Sequence, residues 1–343
     1  MRNVADIRYD VASVLNRGCR DYQEDAIATD FPLGADFGYA VLSDGMGGHA
    51  AGDVASKIVV TEVFSELKFQ SSDVEALEGS ICDVLKSAAV SANECMAAHA
   101  SNNPDTAGMG ATLVAPVFMS DKLFWISIGD SPLYLMRGGQ LRQLNEDHSL
   151  GPHIDYMVRS GMMSEDVGRN HPDRNALTSV LIGETIDRID CPARPYRLKN
   201  NDILIVASDG LQFLTNRQIT EIVHENSEFG SARIAEALLE ELRDLDDPEQ
   251  DNVCFSVIKI EMAMDAQDED NIFTPEFETR EARPRQVMTR PIKPADSDGE
   301  VEKKNPHKDP VPAQSLQAKK AKNGGDAIPI FLRRRWLATD SGA

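Results

Sequence analysis

Four apolar, strand-like runs of this chain end or begin at an acidic residue. Two of them end in Ser-Asp-Gly, at Asp44 and Asp209, and a third ends in Gly-Asp at Asp130. The fourth run, 253–258, directly follows Asp251. A single Asp at a strand end is ordinarily a turn former, but four such placements favour strand ends that converge on one site. Because clustered carboxylates repel one another unless a cation or a proton neutralises them, the pattern indicates a divalent-metal site.

The apolar pattern predicts a mixed α and β domain. Helical spacing places apolar residues on one face in two consecutive segments, Val54 to Leu67 and Val74 to Ala88, and a third helix is predicted with Ser231 as its N-cap. Because regular β-α-β alternation is missing, the fold class is predicted as α+β, with antiparallel sheets covered by helices. The predicted strands, from period-two or continuous apolar runs, are 10–15, 37–43, 110–118, 122–128, 132–136, 203–208 and 253–260.

The charge distribution limits the partners that this chain can bind. Residues 265–343 carry equal numbers of basic and acidic side chains, so the net charge of −21 belongs to residues 1–264. Such a surface repels nucleic acids and anionic membranes, and we expect neither as a bulk partner. No apolar run approaches the roughly 18 residues that span a bilayer, so a cytoplasmic protein without a transmembrane segment is expected. The five scattered cysteines are interpreted as reduced packing residues.

The chain divides into a patterned part and a part without apolar periodicity. Residues 1–264 are predicted to form one domain, in which 145–176, interrupted by Pro and small polar residues, is a mobile flap. Residues 265–343 hold 8 of the 17 prolines and are predicted to be a disordered tail rich in Pro and charge. The end of this tail, 328–337, combines apolar and basic residues. It is either an ordinary charged tail or a short docking or membrane-surface motif.

Two local motifs carry most of the chemical information. Arg20 stands four residues before Glu24-Asp25. Its planar guanidinium suits a phosphate, although a surface ion pair with Glu24 explains the spacing equally well. The second motif is the glycine-rich segment that starts at Asp44, where sharp turns let carbonyl oxygens approach an ion. A phosphate-binding P-loop is excluded there, because His49 and Ala50 follow the glycines in place of Lys and Ser or Thr.

Six separated motifs, in this order, resemble those of the metal-dependent Ser/Thr protein phosphatases of type 2C, in their bacterial style. The likeness covers roughly residues 8–262. It implies a central antiparallel β-sandwich flanked by pairs of helices, in four layers α/β/β/α, with the flap beside one edge. The motifs are Arg20…Glu24-Asp25, Asp44-Gly45-Met46-Gly47-Gly48-His49, Gly110-Ala111-Thr112, Gly129-Asp130-Ser131, Ser208-Asp209-Gly210 and Asp251-Asn252.

The same resemblance implies a binuclear centre of Mn²⁺ or Mg²⁺, and hard oxygen ligands independently favour these ions over zinc or copper. Asp44 is implied to bridge both ions, Arg20 to bind the substrate phosphate, and Asp130 to hold a possible third, weaker ion. Either His49 or His148 is a candidate general acid, although a metal-bound water can serve instead. The implied ligands of the two main ions are Glu24, Asp25, Asp44, the carbonyl of Gly45, Asp209 and Asp251.

The implied activity is hydrolysis of phosphoserine and phosphothreonine in proteins, without a phosphoenzyme intermediate and opposite to a Ser/Thr kinase in signalling. A monomer is expected. The alternative is a catalytically silent phospho-binding or regulatory module of the same fold, and a structural Ca²⁺-binding protein is a third reading. One stretch departs from the family pattern: 176–183 lacks an Arg often seen after the Thr. This leaves open whether Asp166, Asp173, Asp187 or Asp190 assists the third metal.

Overall fold

The computed structural model describes residues 7–48 and 50–262 of the 343-residue chain. The predicted tail 265–343, its basic and apolar end 328–337, and the candidate acid His49 lie outside the described residues. The strands are β1 (Ile7–Asn16), β2 (Asp25–Asp30), β3 (Phe37–Met46), β4 (Gly110–Ala111), β5 (Leu113–Met119), β6 (Lys122–Ile128), β7 (Leu133–Arg137), β8 (Gln140–Gln143), β9 (Tyr196–Arg197), β10 (Ile203–Ala207) and β11 (Val253–Met262). The helices are α1 (Ala50–Gln70), α2 (Val74–Asn102), α3 (Gly151–Arg159), α4 (Glu165–Arg169), α5 (Asn216–Glu225) and α6 (Ser231–Asp244).

The strands form two antiparallel sheets that pack face to face. The first sheet has the order β1-β11-β10-β7-β8, and the second has the order β2-β3-β5-β6-β9, with β4 paired to β3. One apolar cluster lies between the sheets and includes Leu42, Leu204 and Ile258. Neighbouring residues on the same strands point outward, as Ile203 and Ile205 do on β10. Strands buried on both faces need continuous apolar runs, which explains the uninterrupted apolar sequence of β10.

A pair of helices covers the outer face of each sheet. Helices α1 and α2 pack on the second sheet in one core cluster that includes Val59 and Leu85. Helices α5 and α6 pack on the first sheet in another cluster, which includes Ile219 and Leu238. The result is the predicted four-layer α/β/β/α sandwich, so the predicted fold class is confirmed. No helix in the described part of the chain is long and apolar enough to cross a bilayer.

The N-terminus of α6 differs in detail from the prediction. Ser231 is the first residue of the helix, and Gly230 is its N-cap. The carboxylate of Asp10, on β1, accepts hydrogen bonds from the backbone N–H of Ser231 at 2.7 Å and from its hydroxyl at 2.9 Å. A side chain remote in sequence therefore satisfies the helix terminus that Ser231 was predicted to cap.

Candidate metal and phosphate site

The pairing of β2 with β3 brings the first acidic residues together. Asp25 begins β2 and is the direct antiparallel partner of Asp44 near the end of β3. Gly45 donates its N–H to the carbonyl of Glu24 at 3.1 Å. A Cβ atom on Gly45 would lie 2.0 Å from the carbonyl oxygen of Gly52, so only glycine fits at this crossing. Four of the predicted ligand residues, Glu24, Asp25, Asp44 and Gly45, therefore meet at one sheet edge.

Arg20 joins this edge through Asp251. The guanidinium Nη2 of Arg20 donates to Asp251 Oδ2 at 2.7 Å, and 55% of the Arg20 side chain is exposed. The ion pair considered from the sequence, between Arg20 and Glu24, is thus replaced by one with Asp251, which directly precedes β11. A guanidinium held at the rim of a group of carboxylates is placed to meet an incoming anion.

Asn252 fastens the Arg20 loop to β11, a role that the sequence analysis did not assign. Its Oδ1 accepts the backbone N–H of Glu24 at 2.7 Å, and its Nδ2 donates to the carbonyls of Arg17 at 2.8 Å and Tyr22 at 2.9 Å. Gly210 packs so closely on Asn252 that a Cβ atom would lie 1.9 Å from the carbonyl oxygen of Asn252. The amide side chain next to Asp251 was the available signal, because one Asn can satisfy three backbone groups at once.

The Ser-Asp-Gly sequence after β10 reaches Asp25, the strand partner of Asp44, through its serine. Ser208 donates its hydroxyl to Asp25 Oδ2 at 2.7 Å and accepts the N–H of Cys254 at 3.0 Å. Its own N–H donates to the carbonyl of Cys254 at 2.8 Å. The next residue, Asp209, is buried. The structure therefore places Asp209 one residue from a direct contact with Asp25.

The electrostatics agree with the geometry in placing these carboxylates in one neighbourhood. Asp25 is only 4% exposed. Burial raises its pKa to about 7; the Ser208 hydroxyl opposes this rise, and the charges of Asp251 and Glu24 add to it. Burial likewise raises the pKa of the Cys254 thiol, and the charges of Asp25 and Asp44 add to that rise. A buried concentration of negative charge of this kind is stabilised by a bound cation or a bound proton.

The hard oxygen donors at this edge suit Mn²⁺ or Mg²⁺. Within residues 7–48 and 50–262, no three or more His, Cys, Asp or Glu side chains adopt an arrangement that holds a metal ion. The acidic residues therefore share one neighbourhood but are not closed around an ion position. Their identity and their convergence at one sheet edge fit a binuclear ion centre.

Asp130, the predicted third-metal residue, is linked to Asp44 through Thr112. The hydroxyl Oγ1 of Thr112 accepts the N–H of Asp44 at 3.0 Å, and the N–H of Thr112 donates to the carbonyl of Asp44 at 2.8 Å. The same hydroxyl lies 2.8 Å from the hydroxyl of Ser131. Gly129 has a φ of 107°, and a Cβ atom there would lie 2.6 Å from the Thr112 methyl. Thr112 therefore fixes Asp44 and the Gly129–Ser131 turn relative to each other.

His148 supports the same turn and is not placed to act as the general acid. The side chain is fully buried, and its Nδ1 accepts a hydrogen bond from the backbone N–H of Gly129 at 3.3 Å. The backbone N–H of His148 donates to the carbonyl of Gly129 at 3.0 Å. Burial lowers the pKa of His148, and the charge of Arg188 lowers it further. A neutral, buried imidazole whose Nδ1 already accepts a hydrogen bond positions the backbone next to Asp130 instead of donating a proton to substrate.

The predicted flap contains α3 and α4. Arg174 holds them together by pairing with Asp155 at 2.8 Å and donating to the carbonyl of Gly168 at 3.4 Å. The unusual stretch 176–183 leads back to the body of the domain. Asp190 is one of the four acidic residues considered above for the third metal. Its carboxylate accepts hydrogen bonds from the Trp125 indole and the Glu146 N–H, both at 2.9 Å, so it has a structural role.

Comparison with known proteins supports the fold and identifies the family. The chain is 35% identical over 171 residues to the serine/threonine phosphatase stp of Listeria welshimeri, a match that covers 50% of this chain and 65% of that protein. It is 33% identical over 171 residues to the serine/threonine protein phosphatase PstP of Mycobacterium tuberculosis, covering 50% of this chain and 31% of that protein. The match thus spans less than two thirds of the length of each of these two curated relatives.

Solved structures extend the likeness to the whole sandwich. The crystal structure of the Mycobacterium tuberculosis phosphatase PstP/Ppp has a TM-score of 0.61 and 29% identity, over 74% of this chain and 99% of that one. The PstP catalytic domain in complex with two manganese ions has a TM-score of 0.60 and 27% identity, over the same shares. The family model for protein phosphatase 2C matches residues 20–244, more than half of the chain. This chain therefore belongs to the protein phosphatase 2C family.

Proposed function

We propose that this chain hydrolyses phosphoserine and phosphothreonine in proteins with two Mn²⁺ or Mg²⁺ ions and no phosphoenzyme intermediate. The observation that carries the proposal is the meeting of acidic residues from four remote stretches beside an exposed guanidinium. Asp25 is the strand partner of Asp44 and accepts a hydrogen bond from the hydroxyl of Ser208, the residue before Asp209. The charge of Asp251 contributes to the raised pKa of Asp25. The names of the relatives above and the two manganese ions of the PstP structure support the same reading.

The ion ligands are assigned from the family resemblance, and the meeting of these residues at one sheet edge supports the assignment. Asp44, the strand partner of Asp25, is assigned to both ions, with Asp209 and Asp251 completing one shell. Glu24, Asp25 and the carbonyl of Gly45 are assigned as the remaining protein donors, and Asp130 as the residue for a third ion. Two bound divalent ions supply a water of lowered pKa as nucleophile and neutralise charge on the phosphate oxygens.

Arg20 is assigned to the substrate phosphate. Its guanidinium reaches Asp251 through Nη2, and the fork presents further N–H donors on the exposed side. A phosphate at the rim can replace or share that contact, because charge-assisted hydrogen bonds to Arg are bidentate in geometry. Arg20 thereby orients the phosphorus towards the acidic edge, and the charge that develops on the transferred group is offset.

The finer biological assignments rest on this proposal. Phosphorylated proteins are the proposed substrates and a Ser/Thr kinase is the proposed opposing enzyme. A monomer acting in cytoplasmic signalling is consistent with the acidic surface and the lack of a membrane-spanning helix in the described part of the chain. The silent phospho-binding module remains the alternative, and the presence of every expected carboxylate favours turnover over it.

The test is Mn²⁺-dependent hydrolysis of a phosphothreonine peptide. Asp44→Ala and Asp209→Ala are expected to lose at least about a hundredfold in kcat, since each removes a charge that acts on the transition state. The matched control is Asp21→Ala, an exposed carboxylate on the Arg20 loop, which is expected to keep wild-type turnover. Retained hydrolysis in both site variants would reject the site assignment.

A second measurement separates the alternatives. Wild-type protein that binds the phosphopeptide but releases no phosphate with Mn²⁺, Mg²⁺ or Ca²⁺ would establish the silent module. Hydrolysis with Mn²⁺ but not Ca²⁺ is expected of the enzyme, and would exclude a structural Ca²⁺ protein. For Arg20→Ala we expect chiefly a raised KM, because substrate positioning is lost while the ion ligands remain; an unchanged KM would refute the phosphate-binding role.

A further inference from the structure

Two cysteines that are remote in sequence meet behind the second sheet. Cys82 lies on α2, and Cys191 lies on the stretch that leads to β9, with the two positions 109 residues apart. The sulfur of Cys191 lies 3.9 Å from the carbonyl oxygen of Cys82, and the sulfur of Cys82 lies 3.2 Å from the carbonyl oxygen of Pro192. Each sulfur is therefore next to the backbone of the segment that carries the other cysteine. Both thiols are reduced, partly buried and packed on the same apolar core.

The stretch that carries Cys191 is held to the same helix independently of the thiols. Asn93, also on α2, accepts the N–H of Gly183 at 2.8 Å and donates to the carbonyl of Glu184 at 2.5 Å. Further along, Asp190 and Ser127 exchange backbone hydrogen bonds of 2.8 and 3.0 Å. These contacts hold the segment that precedes Cys191 against α2 and β6, and so bring Cys191 beside Cys82 through the backbone.

The environment of the Cys191 thiol disfavours its ionisation. Burial raises the pKa of Cys191 to about 12, and the neighbouring Cys82 thiol adds to the rise through its charge and a hydrogen bond. Cys191 is consequently protonated at neutral pH. Since the thiolate is the attacking species in disulfide exchange, Cys191 is disfavoured as the first nucleophile, and the first attack on an oxidant is assigned to Cys82.

We propose that Cys82 and Cys191 form a reversible oxidation site that closes to an intramolecular disulfide and ties α2 to the stretch 181–192. The oxidant is a low-molecular-weight disulfide such as oxidised glutathione. The proposal does not depend on the proposed phosphatase activity.

The exchange balances in two steps. The Cys82 thiolate attacks one sulfur of the reagent, a mixed disulfide forms, and one reagent thiolate leaves. The mixed disulfide carries no charge on Cys82, so one cause of the high pKa of Cys191 is removed. Cys191 then loses its proton, attacks the Cys82 sulfur, and displaces the second reagent thiolate. The protein loses two protons and two electrons, and the reagent is reduced to two thiols.

The disulfide would act on stability through a long chain loop. Closing a loop of about 100 residues restricts the unfolded chain in the chain-entropy model. It would also fix a stretch that contacts the candidate site, since Leu181 exchanges backbone hydrogen bonds with Ala111, and Ala111 pairs with Gly45. The oxidised protein is therefore expected to unfold at higher temperature and to protect the amides of 182–191 from exchange.

The experiment uses reduced, full-length protein incubated with oxidised glutathione. Non-reducing peptide mapping should recover one cross-linked pair, Cys82 with Cys191, with a loss of two hydrogen atoms from the intact mass. The melting temperature should rise by at least about 5 °C and return on reduction. Cys95→Ser, on the same helix, is the matched control and should retain both effects. Cys82→Ser should abolish both, and Cys191→Ser should stop at a glutathione adduct on Cys82.

Three results would overturn the proposal. One is a stable glutathione adduct on Cys82 of the wild-type protein, which would show that Cys191 cannot reach it. Another is modification of the exposed Cys19 without any link between residues 82 and 191 under the same conditions. The third is a cross-linked protein whose melting temperature is unchanged or lower, which would show that closure strains the native packing by as much as it restricts the unfolded chain.

Discussion

Replacing Asp25 by Asn tests the crowding of carboxylates without any metal or substrate. In the folded, metal-free protein the pKa of Asp25 is raised from 3.8 to about 7, chiefly by burial. A raised folded-state pKa means that the protein binds a proton more tightly than the unfolded chain does. The stability from that proton is fully present below about pH 4 and is lost as the pH rises through about 7. At alkaline pH the fold holds a buried charge, which Asn would remove.

The magnitude follows from the shift. About three pH units correspond to about 4 kcal/mol in the free energy of unfolding, of which about 3 kcal/mol falls between pH 5 and pH 8. Asn keeps an oxygen that can accept the Ser208 hydroxyl, so the variant retains the hydrogen bond that Asp25 makes. We therefore expect Asp25→Asn to gain stability relative to wild type as the pH rises, by up to about 3 kcal/mol over this range.

Urea denaturation in EDTA at pH 5, 6, 7 and 8 measures the difference. Ser208→Ala is the companion variant. Because the Ser208 hydroxyl lowers the pKa of Asp25, removing this hydroxyl should shift the pH range over which the protein loses stability to higher pH. Added Mn²⁺ should stabilise wild type at pH 8 and Asp25→Asn less, since an ion bound only by the folded state stabilises it. A difference between Asp25→Asn and wild type that is constant with pH would refute the reasoning.

Three further variants address other parts of the structure. Thr112→Val should lower the free energy of unfolding by about 1–3 kcal/mol and weaken Mn²⁺ binding in calorimetry, because it leaves the N–H of Asp44 without its acceptor. Thr112→Ser keeps the hydroxyl and should keep wild-type stability and Mn²⁺ affinity. Equal losses in the two variants would contradict this. Lys259→Met should cost about 1–3 kcal/mol in urea denaturation, since its Nζ binds two backbone carbonyls between α5 and α6, whereas exposed Lys57→Met should change stability by less than about 0.5 kcal/mol. Asp130→Asn should remove only the weakest Mn²⁺ site in a titration; loss of all sites would refute its peripheral place.

The strands were the most predictable part of the fold. The runs at 37–43 and 203–208 correspond to β3 and β10, because a strand buried on both faces must be apolar throughout. β2 was missed, since Asp25–Asp30 is short and carries an acidic residue at each end, one of which serves the site. Helix α5 was also missed, although Thr215 and Gln218 form a capping box that the sequence displays.

The site was predictable in its residues but not in its connections. Strand-end carboxylates such as Asp44 and Asp209 follow from a local pattern. The partner of Arg20 does not, because Asp251 is brought beside it by the pairing of β1 with β11 and not by sequence spacing. The roles of Thr112 and Asn252 were missed for the same reason: each satisfies backbone groups that only the tertiary structure brings near.

The central claim is that carboxylates from remote parts of the chain bind two ions at one edge of the sandwich. Anomalous diffraction at the manganese edge, from crystals of the chain grown with Mn²⁺, tests it most directly. The account predicts two strong peaks that both contact Asp44, with Asp209 and Asp251 around one of them. Strong peaks elsewhere with none at Asp44, or a single ion bound without Asp44, would contradict it.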